Sequence, residues 1–379
     1  MSIIRILHVV GQMNHGGIET FLMNVYRNVD RNRIQFDFLT FRETRGYFDD
    51  EIEALGGKVF YFQPINLKKI LMGNMDRSLY NFFIIHPEYK IVHSHMVWSG
   101  LILKSAQHAK VSVRIAHSHG DYTRIPLGKI AVKNVIKNIM KLSANQYATH
   151  RFACSKNAGQ WHFGNKNWHH GNVSVWPNAI DCDKFQYDPQ LRKRMRYELG
   201  LMDDTFTLIH VGRVNPHKNH MFLIDIFDSL MVKVPNSKLL LIGGDEMDGE
   251  CQRYAFRKKS AKDILFLGTR SDIKDLLQAG DIFVFPSFNE GFGISVLEAQ
   301  ASGLPCLISN TIPSEVCLTD NIIQLPINEG SNIWVNNILE FKDKERADNY
   351  CTLVEKGYDI HELCQKLCAF YENTYAEQA

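Results

Sequence analysis

Glu290 and Glu298 lie on either side of Gly291-Phe292-Gly293-Ile294, between an apolar run, Asp281-Ile282-Phe283-Val284-Phe285, and a helix-like segment that stops near Ser302-Gly303. The order reads as buried strand, glycine loop, helix. Backbone N–H groups in such a loop and at the helix start lack partners and carry partial positive charge. Glycine lets a large anion approach them closely, so the loop can seat phosphate. Carboxylates do not bind phosphate; they accept hydrogen bonds from hydroxyls. Glu298 sits about 6 Å of rise beyond the helix start. The stretch therefore fits a ligand with phosphate in the middle and polyols at both ends, the layout of a nucleotide-diphosphate sugar. Taken alone, the two glutamates also fit an ordinary strand-to-helix turn with Glu298 solvated. The glycines between them favour the ligand.

A second strand end leads into Gly212-Arg213-Val214-Asn215-Pro216-His217-Lys218-Asn219. Arg213 offers a planar fork of donors and Lys218 a point charge. Together they can neutralise a diphosphate, a task otherwise given to a divalent metal. A surface loop with two cations fits the same residues. Near the start, Gly16-Gly17-Ile18-Glu19 follows a strand and opens an amphipathic helix. It is not Gly-x-Gly-x-x-Gly, so a dinucleotide is not indicated. It fits a phosphate seat and a tight turn equally well.

Histidines end two further strands, His93-Ser94-His95 and His117-Ser118-His119. Alternation along a strand puts each pair on one face. No third ligand type sits nearby, and a polar substrate cleft explains the pairs, so no metal is expected. Lys129, Lys133, Lys137 and Lys141 recur every four residues, which on a helix makes one basic stripe. It reads either as the wet side of a surface helix or as a face for an anionic membrane or a lipid-phosphate acceptor.

These groups need elements to hold them. Strand-like runs occur at Ile3–Val10, Phe36–Thr40, Val59–Phe62, Ile91–His93, Val113–Ala116, Arg151–Cys154 and Val173–Trp176, with helical stretches between most of them. Trp176-Pro177-Asn178-Ala179-Ile180-Asp181 is turn chemistry and breaks the series. A second series runs through Thr207–Gly212, Leu239–Ile242, Ile264–Leu267, Ile282–Phe285 and Pro305–Ser309. The alternation predicts an α/β chain of two parallel-sheet domains, 1–178 and 179–357, with a cleft between them and a last helix in 358–379. In such sheets ligands bind beyond the carboxyl ends of the strands.

A chain of 379 residues has room for this, and its composition is that of a soluble globular protein. No run of 18 or more apolar residues is present, so no transmembrane helix is expected. The N-terminus begins on a strand, without a signal-peptide pattern. The cysteines contain no Cys-x2-Cys pair; Cys154, Cys306 and Cys351 sit in apolar surroundings and read as buried free thiols in a reducing cytoplasm. Net charge is +2, but residues 1–180 carry 22 Lys+Arg against 11 Asp+Glu and the remainder 21 against 30. The basic half suits an anionic partner. Nucleic acid is not among the expected partners.

Gly16-Gly17-Ile18-Glu19, Gly212-Arg213…Lys218-Asn219 and Glu290-Gly291-Phe292-Gly293…Glu298, in this order, resemble glycosyltransferase family 4. The junction Pro177-Asn178-Ala179-Ile180-Asp181 is similar to that family's interdomain linker, with Ala179 where Gly is more usual. The resemblance covers almost the whole chain. It implies the GT-B fold, two Rossmann-like domains facing a central cleft. It also implies a retaining, metal-independent transferase that uses a nucleotide sugar and no cofactor.

By the same resemblance, Arg213 and Lys218 hold the donor diphosphate and Glu298 the ribose hydroxyls. Glu290, with Gly291, Phe292, Gly293 and Ile294, holds the transferred sugar and its phosphate. Gly16 and Gly17 close on the donor from the other domain. His117 contacts the sugar, with His119 as the alternative, and Arg270 falls near the base. The final helix, His361–Tyr375, packs back on the first domain. The implied donor is UDP-hexose or UDP-N-acetylhexosamine. The implied acceptor is a glycan, lipid-linked, in capsular or exopolysaccharide assembly at the cytoplasmic membrane face. Glu290 as a covalent nucleophile is the competing mechanism. A nucleotide-sugar epimerase of the same fold would need no acceptor. A non-catalytic nucleotide-sugar or glycan-binding protein would not need Glu290, Glu298, Arg213 and Lys218 together.

Overall fold

Parallel strands covered on both faces need near-continuous apolar runs, and such runs build both sheets of this chain. The computed structural model describes residues 3–64, 74–120, 138 and 141–378. The chain forms two compact units, Met1–Ala179 with Ile360–Ala379, and Ile180–Asp359.

The first unit holds β1 (Ile4–Val10), β2 (Ile34–Thr40), β3 (Val59–Tyr61), β4 (Ile91–Ser94), β5 (Val113–Ser118), β6 (His150–Ala153) and β7 (Ser174–Val175). They form one sheet in the order β3-β2-β1-β4-β5-β6-β7, with every pairing parallel. All of β2 is buried. The strand order reverses between β1 and β4, and such a reversal opens a crevice at the carboxyl ends. β5 runs two residues further than the apolar run suggests, so His117 lies inside the strand. The helix Gly17–Asn28 buries Phe21, Leu22, Met23, Val25 and Tyr26. The last helix, Ile360–Ala376, packs against it and buries Leu363, Leu367 and Tyr371.

The second unit holds β8 (Phe206–Val211), β9 (Ser237–Ile242), β10 (Ile264–Gly268), β11 (Ile282–Phe285), β12 (Cys306–Ser309) and β13 (Ile322–Leu325). Their order is β10-β9-β8-β11-β12-β13, again all parallel. The core gathers Phe206, Leu208, Phe227, Leu239, Val284 and Trp334. Edge strand β13 is a short, half-buried run whose sequence carries no strong strand signal. The chain enters this unit at Ile180, which bridges Asp359 where it leaves.

Two glycines shape the loops at the strand ends. Gly243, after β9, has φ +149, and a Cβ there would lie 2.1 Å from the Gly212 carbonyl oxygen after β8. Only glycine allows that approach. Gly293 has φ +95 and starts the helix Ile294–Ala301. All eight cysteines are free, but Cys351 is exposed rather than buried: its helix, Tyr350–Glu355, turns Leu353 inward and Cys351 to water. Among the described residues, no helix is long and apolar enough to cross a membrane.

Candidate active site

The second sheet reverses order between β8 and β11, and the loops leaving these strands carry Arg213, Lys218 and Glu290. Asn215 bends the first loop: its side-chain oxygen accepts from the backbone N–H of His217 at 3.1 Å and of Lys218 at 3.2 Å. Asn219, in the left-handed region at φ 57, then donates to the Pro286 carbonyl at 3.1 Å. The Phe288 N–H donates to the His217 carbonyl at 2.8 Å. The two loops are thus joined to one another.

That join puts Lys218 Nζ 2.6 Å from Glu290 Oε1, with side-chain exposures of 19% and 13%. The ammonium also lies 4.6 Å from the centre of the Phe285 ring. Ser287 Oγ is 2.7 Å from the same Glu290 oxygen and 2.9 Å from the His217 carbonyl. Thr311, after β12, donates to the Ser287 carbonyl at 2.8 Å and braces the loop from behind. Charges this sheltered from water interact more strongly than a surface pair. Arg213 is more open; it donates to Glu246 Oε1 at 2.5 Å, and Asn215 Nδ2 holds Glu246 Oε2 at 3.1 Å.

The helix Ile294–Ala301 is buried on nearly all sides. Glu298 and Gln300 are its buried polar side chains, and they fare differently. Gln300 donates to the Val316 carbonyl at 2.8 Å and accepts from the Leu318 N–H at 3.0 Å. Glu298 is 9% exposed, and burial alone pushes its carboxyl up to about 8. No described residue gives its carboxylate a hydrogen bond. The reading of Glu298 as a solvated surface residue is excluded. Phe292, beside the glycines, is buried and stacked on Tyr358 at 5.3 Å.

In the first unit, His93, His95, His117 and His119 meet at the ends of β4 and β5, and His8 of β1 joins them opposite His93. His8 Nδ1 is 3.0 Å from His95 Nε2, and His95 Nδ1 is 2.8 Å from His119 Nε2. His93 Nε2 is 3.1 Å from His117 Nδ1, and His93 Nδ1 is 2.7 Å from the Tyr371 hydroxyl. Burial holds all of these imidazoles below their ordinary range, His8 and His119 down to about 3. They are neutral at pH 7. Two triads, His8-His93-His95 and His95-His117-His119, bring ligand atoms within 4.8 Å, as a metal would need. Many of these nitrogens are instead engaged with one another. His117 is buried with Nε2 unpartnered, whereas His119 is partly exposed.

The other expected residues make their own local contacts. Arg270, after β10, is bidentate to Asp272 at 2.8 and 2.5 Å. Gly16 caps the helix Gly17–Asn28 in extended conformation, with the Glu19 carboxylate folded over it. Lys129, Lys133 and Lys137 lie outside the described residues. Lys141 is half-buried with its ammonium 3.9 Å from the Trp161 ring centre, so it is not a free surface charge. Residues around the motifs that the sequence did not single out are Ser287, Thr311 and Glu246 in the second unit, and His8 and the Tyr371 hydroxyl in the first. His8 had a signal, a polar residue within the apolar stretch Ile6–Val10 of β1.

Residues 15–184 match the model described as Glycosyltransferase Family 4, and residues 192–348 that described as Glycosyl transferases group 1. The chain is 33% identical over 372 residues to the putative glycosyltransferase EpsF of Bacillus subtilis, covering 97% of this chain and 96% of that one. It is 27% identical over 339 residues to the Escherichia coli UDP-Gal:alpha-D-GlcNAc-diphosphoundecaprenol alpha-1,3-galactosyltransferase, covering 86% and 85%. Among solved structures, Anabaena HepE in complex with UDP and glucose superposes with a TM-score of 0.71 at 20% identity, over 98% of both chains. An identity of one residue in three along almost the full length of EpsF, on two Rossmann-like parallel sheets, means that the chain belongs to glycosyltransferase family 4 and has the GT-B fold.

Proposed function

We propose that this glycosyltransferase moves a hexose or N-acetylhexosamine from a UDP-sugar to a lipid-linked glycan acceptor, with retention of configuration and without a divalent metal. Glu298 carries this reading. A buried carboxyl to which no described residue donates a hydrogen bond suits a ligand that brings hydroxyl donors, as a ribose does. It stands one helical turn beyond a glycine loop whose N–H groups suit the adjoining phosphates. UDP is supported by the complex in which HepE was solved and by the name of the E. coli relative. That name also supports a lipid-diphosphate-linked glycan as acceptor, in surface polysaccharide assembly. The basic excess of residues 1–180 supports peripheral contact with the anionic membrane face where such an acceptor resides.

In this mechanism Lys218 and Arg213 stabilise the charge that grows on the departing diphosphate. Glu290, with Oε1 engaged by Lys218 and Ser287, keeps the ammonium aimed and offers Oε2 to the sugar hydroxyls. His117 meets the sugar as a neutral hydrogen-bond donor. The acceptor oxygen attacks the face that the diphosphate leaves. The leaving phosphate oxygen takes the acceptor's proton, and no covalent bond to Glu290 is needed.

UDP binding at pH 7 should then release roughly one proton, because a carboxyl near pKa 8 is mostly protonated when free and hydroxyl donors favour its ionised form. Calorimetry in buffers of different ionisation enthalpy measures this. Glu298→Gln should abolish the release and weaken UDP about tenfold or more. Equal proton release from wild type and Glu298→Gln would remove Glu298 from the nucleotide site.

A further inference from the structure

We infer that Tyr371, on the last helix, sets the tautomer of His117 through His93, so that the proton of His117 sits on Nε2. Tyr371 and His93 are thereby positioning residues. The functional meaning rests on His117 contacting the transferred sugar; the tautomer itself does not.

A neutral imidazole has one N–H and one lone pair, so a chain of imidazoles must run in a single direction. Here the chain is Tyr371 Oη to His93 Nδ1 at 2.7 Å, then His93 Nε2 to His117 Nδ1 at 3.1 Å. Tyr371 is fully buried, and His93 is its hydrogen-bond partner. Were the phenol to accept from His93, its own O–H would be left buried and unmet, which is costly. The phenol therefore donates to His93 Nδ1. The His93 proton must then be on Nε2, which donates to His117 Nδ1. That leaves the His117 proton on Nε2.

Three further observations fit. Burial keeps the Tyr371 phenol protonated and both imidazoles neutral, so each link carries one proton. The Trp176 backbone favours a proton on His117 without completing a hydrogen bond to it. His117 Nε2 is buried and unpartnered, and an orphaned buried donor in a native structure calls for an explanation. A sugar hydroxyl or phosphoryl oxygen that accepts from it would supply one. The neighbouring chain, His8–His95–His119, has an imidazole at each end, so no phenol directs it. With Nδ1 and Nε2 assigned in this way, His117 donates a hydrogen bond and is not a base.

Long-range ¹H–¹⁵N spectra of the full-length protein, labelled at histidine and assigned with His117→Gln, read the tautomer directly. Wild type should show His117 protonated at Nε2. Tyr371→Phe keeps the ring and removes the proton that directs the chain; Nδ1–H signals should appear at His93 and His117. Turnover should fall about five- to tenfold with KM for the donor little changed, the effect of one buried hydrogen bond. A purely structural role for Tyr371 would lower stability without moving the tautomer. His117 protonated at Nδ1 in wild type, or an unchanged Nε2–H signal in Tyr371→Phe, would overturn the inference. Full turnover by His117→Gln would instead overturn the role given to His117 and leave the tautomer assignment standing.

Discussion

Lys218→Met should lower turnover by about 10²–10³-fold, the range for losing one preorganised charge at a leaving group. Methionine keeps the length of the aliphatic stem, so packing changes little. What goes is the ammonium that sits 2.6 Å from Glu290 Oε1. Glu290 then keeps Ser287 as its donor but loses its counter-charge, and a bare carboxylate repels an incoming diphosphate. Breaking a sheltered pair from one side also costs stability, about 1–3 kcal/mol. The double variant Lys218→Met/Glu290→Gln separates the two effects. It should recover the melting temperature but not the activity. Recovery of turnover in the double variant would mean that Lys218 serves only to neutralise Glu290.

Acid should unfold the protein at a pH where most soluble domains persist. His8, His93, His95, His117, His119 and His162 of the first unit, and His210 and His220 of the second, are all held below the ordinary histidine range, mainly by burial. The folded chain binds fewer protons than the unfolded chain between about pH 6.5 and the folded values, about 3 for His8 and about 4 for His220. Stability is therefore complete above the ordinary value and is lost as pH falls below it. Each histidine contributes about 1.4 kcal/mol per pH unit to that loss. Several acting together exhaust a net stability of roughly 5–15 kcal/mol within one to two pH units. Half-unfolding is expected at about pH 5. Circular dichroism and thermal scans between pH 7.5 and 4 check this; a melting temperature that stays flat to pH 4.5 would contradict it. Glu298 acts in the opposite direction, between the ordinary carboxylate value and about 8. Its carboxyl is raised, so its contribution to stability is present below the ordinary carboxylate range and is lost as pH rises through about 8.

Much of the architecture was legible because buried parallel strands leave unbroken apolar runs, as Ile282–Phe285 does. The glycine loop and its flanking glutamates were legible because Gly293 must adopt positive φ and a motif holds those positions in one short stretch. The burial of Glu298 was not. Its helix is apolar on most faces, so spacing does not say which side meets water. The cluster around His8 was half visible: two His-x-His pairs stand out, but the register His8↔His93 exists only once β1 and β4 pair. Tyr371 marked an apolar helix face, while the task of its hydroxyl depends on a histidine far away in the chain. Cys351 misled because neighbours in sequence do not decide which side of a short helix is wet.

The most direct measurement is nucleotide release by the purified protein from a panel of UDP-, GDP- and ADP-sugars, with a lipid-diphosphate-linked glycan present and divalent metals chelated. Release from a UDP-sugar should persist in the chelator and be lost in Glu290→Ala and Arg213→Ala. Binding of no nucleotide sugar, or release that requires added divalent metal, would contradict it.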